Sequence, residues 1–217
     1  YVEKESLEQE MDQWKFPLHF IDFETSTVAL PFTSGRRPYE QVAFQFSHHK
    51  YNQDGSVEHQ SQYINNTPGE FPNFTFARAL QAAIGNDEGT IFKFATHENS
   101  IVNAIITQLE ESKEADKNEL IAFLKTISRA IKNQAKHWEG DRNMVDLCKV
   151  VKDYYYNPHT KGSNSIKAVL PAALNSSEFL KKKYSQPIGN IQLSSHNFPT
   201  NHIWLHKDED TIINPYK

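Results

Sequence analysis

The chain has 217 residues, with 23 Lys and Arg against 27 Asp and Glu and a formal net charge of −4. This length suits one domain, and the charge excludes a generic polycation but not a nuclease with an acidic site and local basic patches. The single cysteine, Cys148, excludes a disulfide scaffold and a cysteine-based zinc site. No stretch approaches the ~20 apolar residues of a membrane span, and no N-terminal segment resembles a signal peptide. With a single cysteine, we therefore expect a reducing, cytoplasmic compartment. Because the chain starts at Tyr1 and stops in mid-pattern, we interpret it as a fragment of a longer protein.

The first part of the sequence predicts three strands in succession. After a polar lead-in segment, residues 1–16, a β-rich run at 17–25 ends in acidic residues and predicts the first strand. Alternating residues predict a second strand at 41–50, and the turn residues 52–55 predict a hairpin to a third strand at 56–64. These segments predict the antiparallel part of a sheet.

The rest of the sequence alternates between helical and strand patterns. The predicted elements are helices over 72–84, around 101–109, over 118–132 and over 165–174, a short strand over 90–94, and a fifth strand or a short helix over 143–151. No organisation is predicted beyond Asn175. Three meandering strands followed by this alternation predict an α/β fold with a mixed five-stranded sheet and helices on both faces.

Asp22 and Glu24 are the sharpest chemical feature of the sequence. Residues two apart in a strand point to the same face, and two carboxylates ending an apolar strand are costly unless they are neutralised. Mg²⁺ or Mn²⁺ does this well, because hard cations prefer oxygen ligands. Two such ions ~4 Å apart can clamp the attacking and leaving oxygens of phosphodiester hydrolysis. The alternative is a strand end where both side chains simply reach water.

Glu98 is the second candidate for this site. It follows the fourth predicted strand and comes just after Thr96, a predicted helix N-cap. If the fourth strand lies parallel to the first, Glu98 emerges at the same end of the sheet as Asp22 and Glu24, where α/β proteins build their sites. The alternative is that Glu98 only complements the helix dipole.

Three segments carry a resemblance to known proteins. Residues 20–25 (FIDFET) resemble the first motif of the DnaQ-like (DEDD) 3′–5′ exonucleases. Residues 37–49 (RPYEQVAFQFSHH) and 161–171 (KGSNSIKAVLP) resemble a bacterial domain-of-unknown-function family of the same clan, whose members are often fused C-terminally to a RecB-like nuclease module. The resemblance covers 17–217 and implies one RNase H-like domain, truncated at its C terminus. It further implies action on DNA or RNA with two Mg²⁺ or Mn²⁺ ions.

The resemblance also implies roles for individual residues. Asp22 and Glu24 match the first motif, and Glu98 falls where the second motif usually has Asp, so these three are the implied catalytic metal ligands. Asp146 resembles an Asp in a common Asp-Leu pair of the clan, which implies either a supporting ligand or a structural role. The third motif has no convincing match, and the fourth carboxylate is expected after residue 217. We therefore expect this fragment to have little activity by itself.

Five further residues are predicted to contact the substrate: Arg36, Arg37, Tyr39, Lys161 and Lys167. The guanidinium groups suit phosphate oxygens, and the two lysines flank a Gly-Ser turn from which they can reach phosphates. The alternative for these four side chains is plain solvated charge. Tyr39 either stacks on a base or packs against the second strand, and we favour packing.

Several other residues receive more ordinary interpretations. His48 and His49 point to opposite faces of the second strand, so they cannot chelate one ion together. His97 either carries a proton near a metal-bound water or has a capping or core role, which we favour. Residues 181–183, three lysines in a row, are predicted to form a solvated helix face, and Cys148 is predicted to be a small core residue.

The sequence as a whole predicts a two-metal-ion nuclease whose partner is nucleic acid and, in the same polypeptide, a RecB-like module, with no membrane. The alternative is a degenerate RNase H-like module that binds nucleic acid or a partner domain without catalysis. Glu98 in place of Asp and the unmatched third motif favour the alternative for this fragment. The Asp22 and Glu24 pair favours the enzyme for the intact protein.

Overall fold

A computed structural model describes residues 1–131, 137–208 and 211–216. Its strands are β1 (Leu18–Ser26), β2 (Val42–Tyr51), β3 (Val57–Ile64), β4 (Ile91–Lys93), β5 (Val145–Asp146), β6 (Leu193–Ser194), β7 (Lys207–Asp208) and β8 (Thr211–Ile212). Within this part of the chain, six strands form one sheet in the order β5-β4-β1-β2-β3-β6, and β7 and β8 form a separate hairpin.

The pairing of the sheet is mixed. β1 and β2 are antiparallel, as are β2 and β3. β4 lies parallel to β1, and β5 lies parallel to β4. The predicted α/β class and the parallel pairing of the first and fourth strands are thus confirmed. The predicted count of five strands is wrong, because β6 adds a sixth strand parallel to β3. A two-residue strand is defined by its partner, and its own sequence carries no periodicity from which to predict it.

In the described part of the chain, one helix precedes these strands, and the others lie between them. They are α1 (Lys4–Met11), α2 (Asn73–Ile84), α3 (His97–Glu111), α4 (Lys117–Thr126), α5 (Leu147–Tyr154), α6 (Ile166–Ser176) and α7 (Glu178–Tyr184), with short 3-10 helices at Pro158–Thr160 and Ile188–Ile191. The segment 143–151 contains both of its predicted alternatives, a short strand and then a helix. No helix in the described ranges is long and apolar enough to cross a membrane.

α4 ends earlier than the predicted helix over 118–132. After Thr126 the backbone turns away to bond with a later segment, since the Gly140 amide donates to the Ser128 carbonyl at 2.9 Å and the Ala130 amide to the Trp138 carbonyl at 2.8 Å. Ile127, which the helical pattern included, is fully buried in this turn. The apolar spacing therefore reflects tertiary burial beyond the helix end. Residue 132, the end of the prediction, lies outside the described residues.

The main core lies on one face of the sheet. Ile21 and Phe23 of β1 and Phe46 of β2 pack in one buried cluster with α2 and α3, where Phe76 and Ile105 are fully buried. Burial of each such side chain stabilises the fold by about 1.5–3 kcal/mol. Because side chains alternate along a strand, Asp22 and Glu24 face the other side of the sheet.

A smaller apolar cluster lies in the C-terminal part of the chain. Its buried residues are Leu174 of α6, Ile212 of β8, and Leu205, which precedes β7. Leu180 and Tyr184 of α7 pack against them. This second cluster joins α6, α7 and the β7-β8 hairpin. The sequence beyond Asn175 predicted no organisation, because these apolar residues are spread over short elements without a sustained period.

Candidate active site

Asp22 and Glu24 lie on the face of β1 that turns away from the main core. Ile21 and Phe23 are buried, whereas both acidic residues are exposed. Among the described residues, neither carboxylate has a hydrogen-bond or ion-pair partner. The predicted placement of both on one face therefore agrees with the alternation along β1, and both carboxylates are free to bind a ligand.

Glu98 lies in the first turn of α3, and its side chain is buried. Only 3% of Glu98 is exposed, and its Oε2 atom has no hydrogen-bond partner in the described structure. Burial raises the pKa of Glu98 to about 7, and the negative charges of Asp22 and Asp146 contribute to the rise. The parallel pairing of β1 and β4 thus brings Glu98 and Asp22 to the same end of the sheet. A Glu that only complemented a helix dipole would be expected on the surface.

Asp146 is held by contacts with the protein itself. Its Oδ1 atom accepts hydrogen bonds from the Ala95 amide at 2.9 Å and the Cys148 amide at 3.0 Å, and it caps the N terminus of α5. Its Oδ2 atom lies 3.4 Å from Nζ of Lys93, whose side chain is buried. Burial alone would raise the pKa of Asp146, but the Ala95 hydrogen bond and the Lys93 charge outweigh it and hold the pKa below its ordinary value. The structural role is therefore the one that these contacts support.

Asp146 and Lys93 also fix the backbone from which Glu98 projects. Ala95 has a φ of 73°, in the left-handed region that residues with a Cβ rarely adopt. Its amide donates to Asp146, and its carbonyl accepts a hydrogen bond of 2.6 Å from Lys93 Nζ. Such strain costs of order 1–3 kcal/mol and is typical of functional sites. The buried ion pair therefore holds the turn that leads into α3 and positions Glu98.

Two more side chains approach the carboxylates. Nε2 of His97 lies 3.2 Å from Oγ1 of Thr25, the residue that follows Glu24. Burial, and then the negative charge of Asp22, raise the pKa of Tyr216 above its ordinary value. Tyr216 was missed by the sequence prediction, since no local pattern indicates that the last described residues return to β1.

The carboxylates share one end of the sheet without converging on one point. Within 1–131, 137–208 and 211–216, no group of three or more His, Cys, Asp and Glu side chains is arranged to hold a metal ion. The chemistry of the donors still suits a hard cation, because Asp22 and Glu24 offer free carboxylates and Glu98 a carboxylate oxygen without a partner. Side-chain movement would have to bring them together.

The two predicted arginines have different surroundings. The guanidinium carbon of Arg36 lies 3.5 Å from the ring centroid of Phe71, and its Nη2 atom donates to Glu40 at 2.7 Å. Arg37 is exposed and pairs with Glu111 at 3.0 Å. Both arginines line a cavity of about 470 Å³ that begins beside the end of β1. Arg36 is therefore part of the wall of the cavity, whereas Arg37 can turn toward a ligand.

The remaining predicted contact residues are all on the surface. Tyr39 is 71% exposed, so the favoured packing of this ring against β2 is wrong. The Tyr39 amide donates to the Val28 carbonyl at 2.8 Å with a φ of 59°, and this turn directs the residue away from β2. Lys161, which ends the first 3-10 helix, and Lys167, in the first turn of α6, are both exposed.

A second buried polar cluster lies at the opposite end of β1, and the sequence prediction missed it. His19 and His48 are both buried, and Nδ1 of His19 lies 2.9 Å from Nε2 of His48. His19 also reaches Asp87 through Nε2 at 2.9 Å, and Nδ1 of His48 lies 2.9 Å from Ser61 Oγ. His49 faces the other side of the sheet, where it stacks on His59. The predicted separation of His48 from His49 is confirmed.

Comparison with known proteins gives one match. No curated protein and no solved structure matches the chain. The model of a protein family described as "Domain of unknown function (DUF2779)" matches residues 19–165, which contain Asp22, Glu24, Glu98 and Asp146. Because this match covers well over half of the 217 residues, the chain belongs to the DUF2779 family.

Proposed function

We propose that the protein hydrolyses phosphodiester bonds of nucleic acid with divalent metal ions, in a DnaQ-type, RNase H-like domain. Glu98 carries this proposal. It is a buried carboxylate with an oxygen that has no partner, and it lies close enough to Asp22 for the two charges to repel. An unpaired buried carboxylate costs stability, and a bound cation would remove that cost. Perturbed acids of this kind cluster at functional sites.

Mg²⁺ or Mn²⁺ would be held by the carboxylates of Asp22, Glu24 and Glu98. A bound ion of this kind activates water and stabilises charge on the leaving oxygen. Glu98, with a pKa of about 7, gives up its proton when it becomes a ligand. Asp146 and Lys93 act by holding the strained turn that positions Glu98. Arg37, exposed at the cavity beside β1, is suited to draw in a phosphate.

The exposed end of this face, where the carboxylates lie, and the adjoining cavity support the same function. Asp22 and Glu24 are exposed on this face, so a polymer can approach them without unfolding of the core. The cavity wall contains the apolar and aromatic residues Phe44 and Phe71 together with Arg36. Pockets that bind organic ligands combine an apolar wall with a few polar groups in this way, so a base next to the cleaved phosphate would fit the cavity.

The test is metal binding, measured by thermal unfolding with and without Mn²⁺. An ion that binds only the native state at a hundredfold excess over Kd stabilises it by about 2.7 kcal/mol. We expect Asp22→Asn and Glu24→Gln to abolish the rise in melting temperature. The control is Glu88→Gln, an exposed acid at the other end of β4, which should keep the full rise. An equal rise in all proteins would refute this site.

A second candidate function is binding without catalysis, as a degenerate module of the same fold. The engagement of Asp146 favours it, because both oxygens of this carboxylate already contact the protein. Cleavage of a labelled oligonucleotide in Mn²⁺ decides between the two candidates. Metal-dependent cleavage that Asp22→Asn removes, by this chain or by a longer polypeptide that extends past residue 217, would support the enzyme, whereas oligonucleotide binding with no cleavage by either in any divalent metal would favour the binding module.

A further inference from the structure

The C-terminal part of the chain has a charge opposite to that of the rest. Residues 154–217 contain seven Lys and four acidic residues, whereas the remaining residues contain 16 Lys and Arg against 23 Asp and Glu. Among these acids Glu178 is paired, since Lys181 Nζ lies 2.6 Å from its carboxylate. Such charge asymmetry within one chain is typical of proteins that bind polyanions.

Three aromatic rings form a cluster in this basic part. The rings of Phe198 and His202 are stacked, with centroids 4.3 Å apart and an interplanar angle of 22°. Trp204 meets Phe198 edge-on at 4.9 Å and His202 at 5.3 Å. Phe198 is 37% exposed and Trp204 is 43% exposed. Single exposed rings are ordinary, but a contiguous cluster of partly exposed rings offers a surface on which a ligand can stack.

The backbone ties this cluster to the basic helix α7. The Leu205 amide donates to the Tyr184 carbonyl at 3.1 Å, and the Ile188 amide donates to the His202 carbonyl at 2.8 Å. The loop that carries the three aromatic rings therefore lies next to the C-terminal end of α7. The last turn of this helix carries Lys182 and Lys183. Among the described residues, Lys182 and Lys183 form no ion pair, in contrast to Lys181.

We propose that Lys182, Lys183, Phe198, His202 and Trp204, here called the aromatic platform, bind single-stranded nucleic acid. Bases stack on exposed aromatic rings, and neighbouring cations follow the phosphates. A duplex offers no free base faces to such rings, and an acidic peptide would use the lysines alone. The inference rests on the proposed function for the kind of ligand, but the platform is separate from the carboxylates.

The platform is joined to the face of the sheet on which the carboxylates lie. β6, the edge strand of the sheet, pairs with β3, and the ring of His196 stacks on His59 at 4.4 Å, which in turn stacks on His49 at 4.6 Å. On β2, His49 shares its face with Ser47, and Ser47 is the register partner of Asp22. A strand bound at the platform can therefore run over this face toward Asp22.

The test is fluorescence anisotropy of a labelled single-stranded 20-mer, titrated with the chain in EDTA so that no cleavage occurs. Trp204→Ala should raise Kd about tenfold, as expected for the loss of one stacked base, and Trp204→Phe should restore most of the affinity. The double variant K182Q/K183Q should raise Kd severalfold and flatten the dependence of Kd on salt. Matched controls are Tyr156→Ala and Lys152→Gln, exposed residues outside the platform, which should bind like the wild type.

Circular dichroism confirms that each variant is folded, and the lysine variant changes only exposed or half-exposed side chains. Unchanged affinity in both Trp204→Ala and K182Q/K183Q would overturn the platform, and so would equal binding to a duplex. Binding to anionic phospholipid vesicles without binding to the oligonucleotide would also overturn it. The two proposals fail separately. Platform-dependent binding with no cleavage by this chain or by a longer polypeptide that extends past residue 217 removes only the nuclease, and cleavage that all platform variants retain at wild-type efficiency removes only the platform.

Discussion

The buried polar groups at the two ends of β1 differ in whether their atoms have hydrogen-bond partners. At the start of the strand, His19, His48 and Asp87 form a chain of hydrogen bonds in which each ring nitrogen has a partner. At the other end, the Glu98 carboxylate is equally buried, yet one of its oxygens has none. Buried polar groups in native proteins are nearly always satisfied. The hydrogen bonds of the first end serve the fold, and under the function proposed above the free oxygen of the second end is kept for a ligand.

The satisfied end has only one consistent arrangement of protons. The pKa of Asp87 lies below its ordinary value, because its hydrogen bonds from Gly89 and His19 outweigh the effect of burial, so its carboxylate is ionised and only accepts. Burial also lowers the pKa of His19, which keeps this ring neutral, so His19 donates through Nε2 and accepts at Nδ1 from His48, and His48 in turn accepts from Ser61. Burial and the neighbouring His19 lower the pKa of His48 to about 4, which keeps it neutral.

The close approach of the chain at this end depends on Gly89. A Cβ atom at this position would lie 2.1 Å from the Pro17 carbonyl oxygen and 2.7 Å from Nε2 of His19. The loop before β4 can therefore pass directly against the start of β1. This contact brings Asp87 to His19, and Arg142 closes the cluster with hydrogen bonds to the Gly89 and Ile84 carbonyls.

The largest expected effect on stability comes from removing Asp87 from the hydrogen-bonded cluster at the start of β1. Asp87→Ala removes the acceptor of the buried His19 Nε2–H and of the Gly89 amide. We expect the free energy of unfolding to fall by about 3 kcal/mol, because a buried donor is left without a partner. Chemical denaturation measures this change. The neighbouring exposed residue provides the control, since Glu88→Gln should change stability by less than about 0.5 kcal/mol. Similar losses in both variants would contradict a specific role for the cluster.

At the other end of β1, a substitution of Glu98 should increase the stability of the protein. Glu98 has a pKa of about 7 in the folded chain against an ordinary value of 4.5, so the folded state holds its proton more tightly than the unfolded state does. Stability from this group is complete below pH 4.5 and is lost as the pH rises through 7. Glu98→Gln removes the loss, and in EDTA we expect the variant to be more stable than the wild type by up to about 3 kcal/mol at pH 8.

The dependence on pH is what makes this expectation specific. At pH 4 the two proteins should be about equally stable, since Glu98 is then protonated in both states. The histidines of the other cluster contribute equally to both proteins, so they cancel in the difference. The measurement is a set of denaturation curves from pH 4 to 8. A difference that does not change with pH would mean that Glu98 is not a buried, strained acid.

The parts of the fold that could be predicted from sequence are those with a sustained period. β2 and β3 alternate over eight or more residues around a turn, and α2 and α3 have apolar residues on one face for at least three turns. The same holds for the carboxylates, because the alternation of β1 fixes which side chains face together. The sequence also predicted that Asp22 and Glu98 lie at the same end of the sheet, because it predicted the parallel pairing of β1 with β4.

The remaining features depend on contacts between distant residues. The Asp87 cluster joins residues 19, 48, 61 and 87, and no local pattern connects them. The strain at Ala95 and its support by Asp146 arise only when β5 pairs with β4. Residues 181–183 were predicted to form a solvated helix face, and the aromatic rings beside them come from a later loop. Sequence periodicity is silent about all three.

The smallest effect on stability, and the sharpest comparison between neighbours, concerns Arg36 and Arg37. Arg36 stacks on Phe71 and bonds to Glu40, so Arg36→Gln should cost about 1–2 kcal/mol of stability. Arg37 forms an exposed ion pair with Glu111, and such pairs contribute little. Arg37→Gln should therefore change the free energy of unfolding by less than about 0.5 kcal/mol.

For binding of nucleic acid we expect the reverse, if the carboxylate end of β1 is the functional one: the Arg37 variant should have the larger effect and the Arg36 variant the smaller. Arg37 can leave Glu111 to meet a phosphate, whereas Arg36 is held in the cavity wall. We expect Arg37→Gln to weaken oligonucleotide binding severalfold in low salt and to lessen its salt dependence, because one phosphate contact is lost. Arg37→Lys, which keeps the charge but not the fork, should recover only part of the affinity. A variant with unchanged binding at every salt concentration would return Arg37 to plain solvated charge.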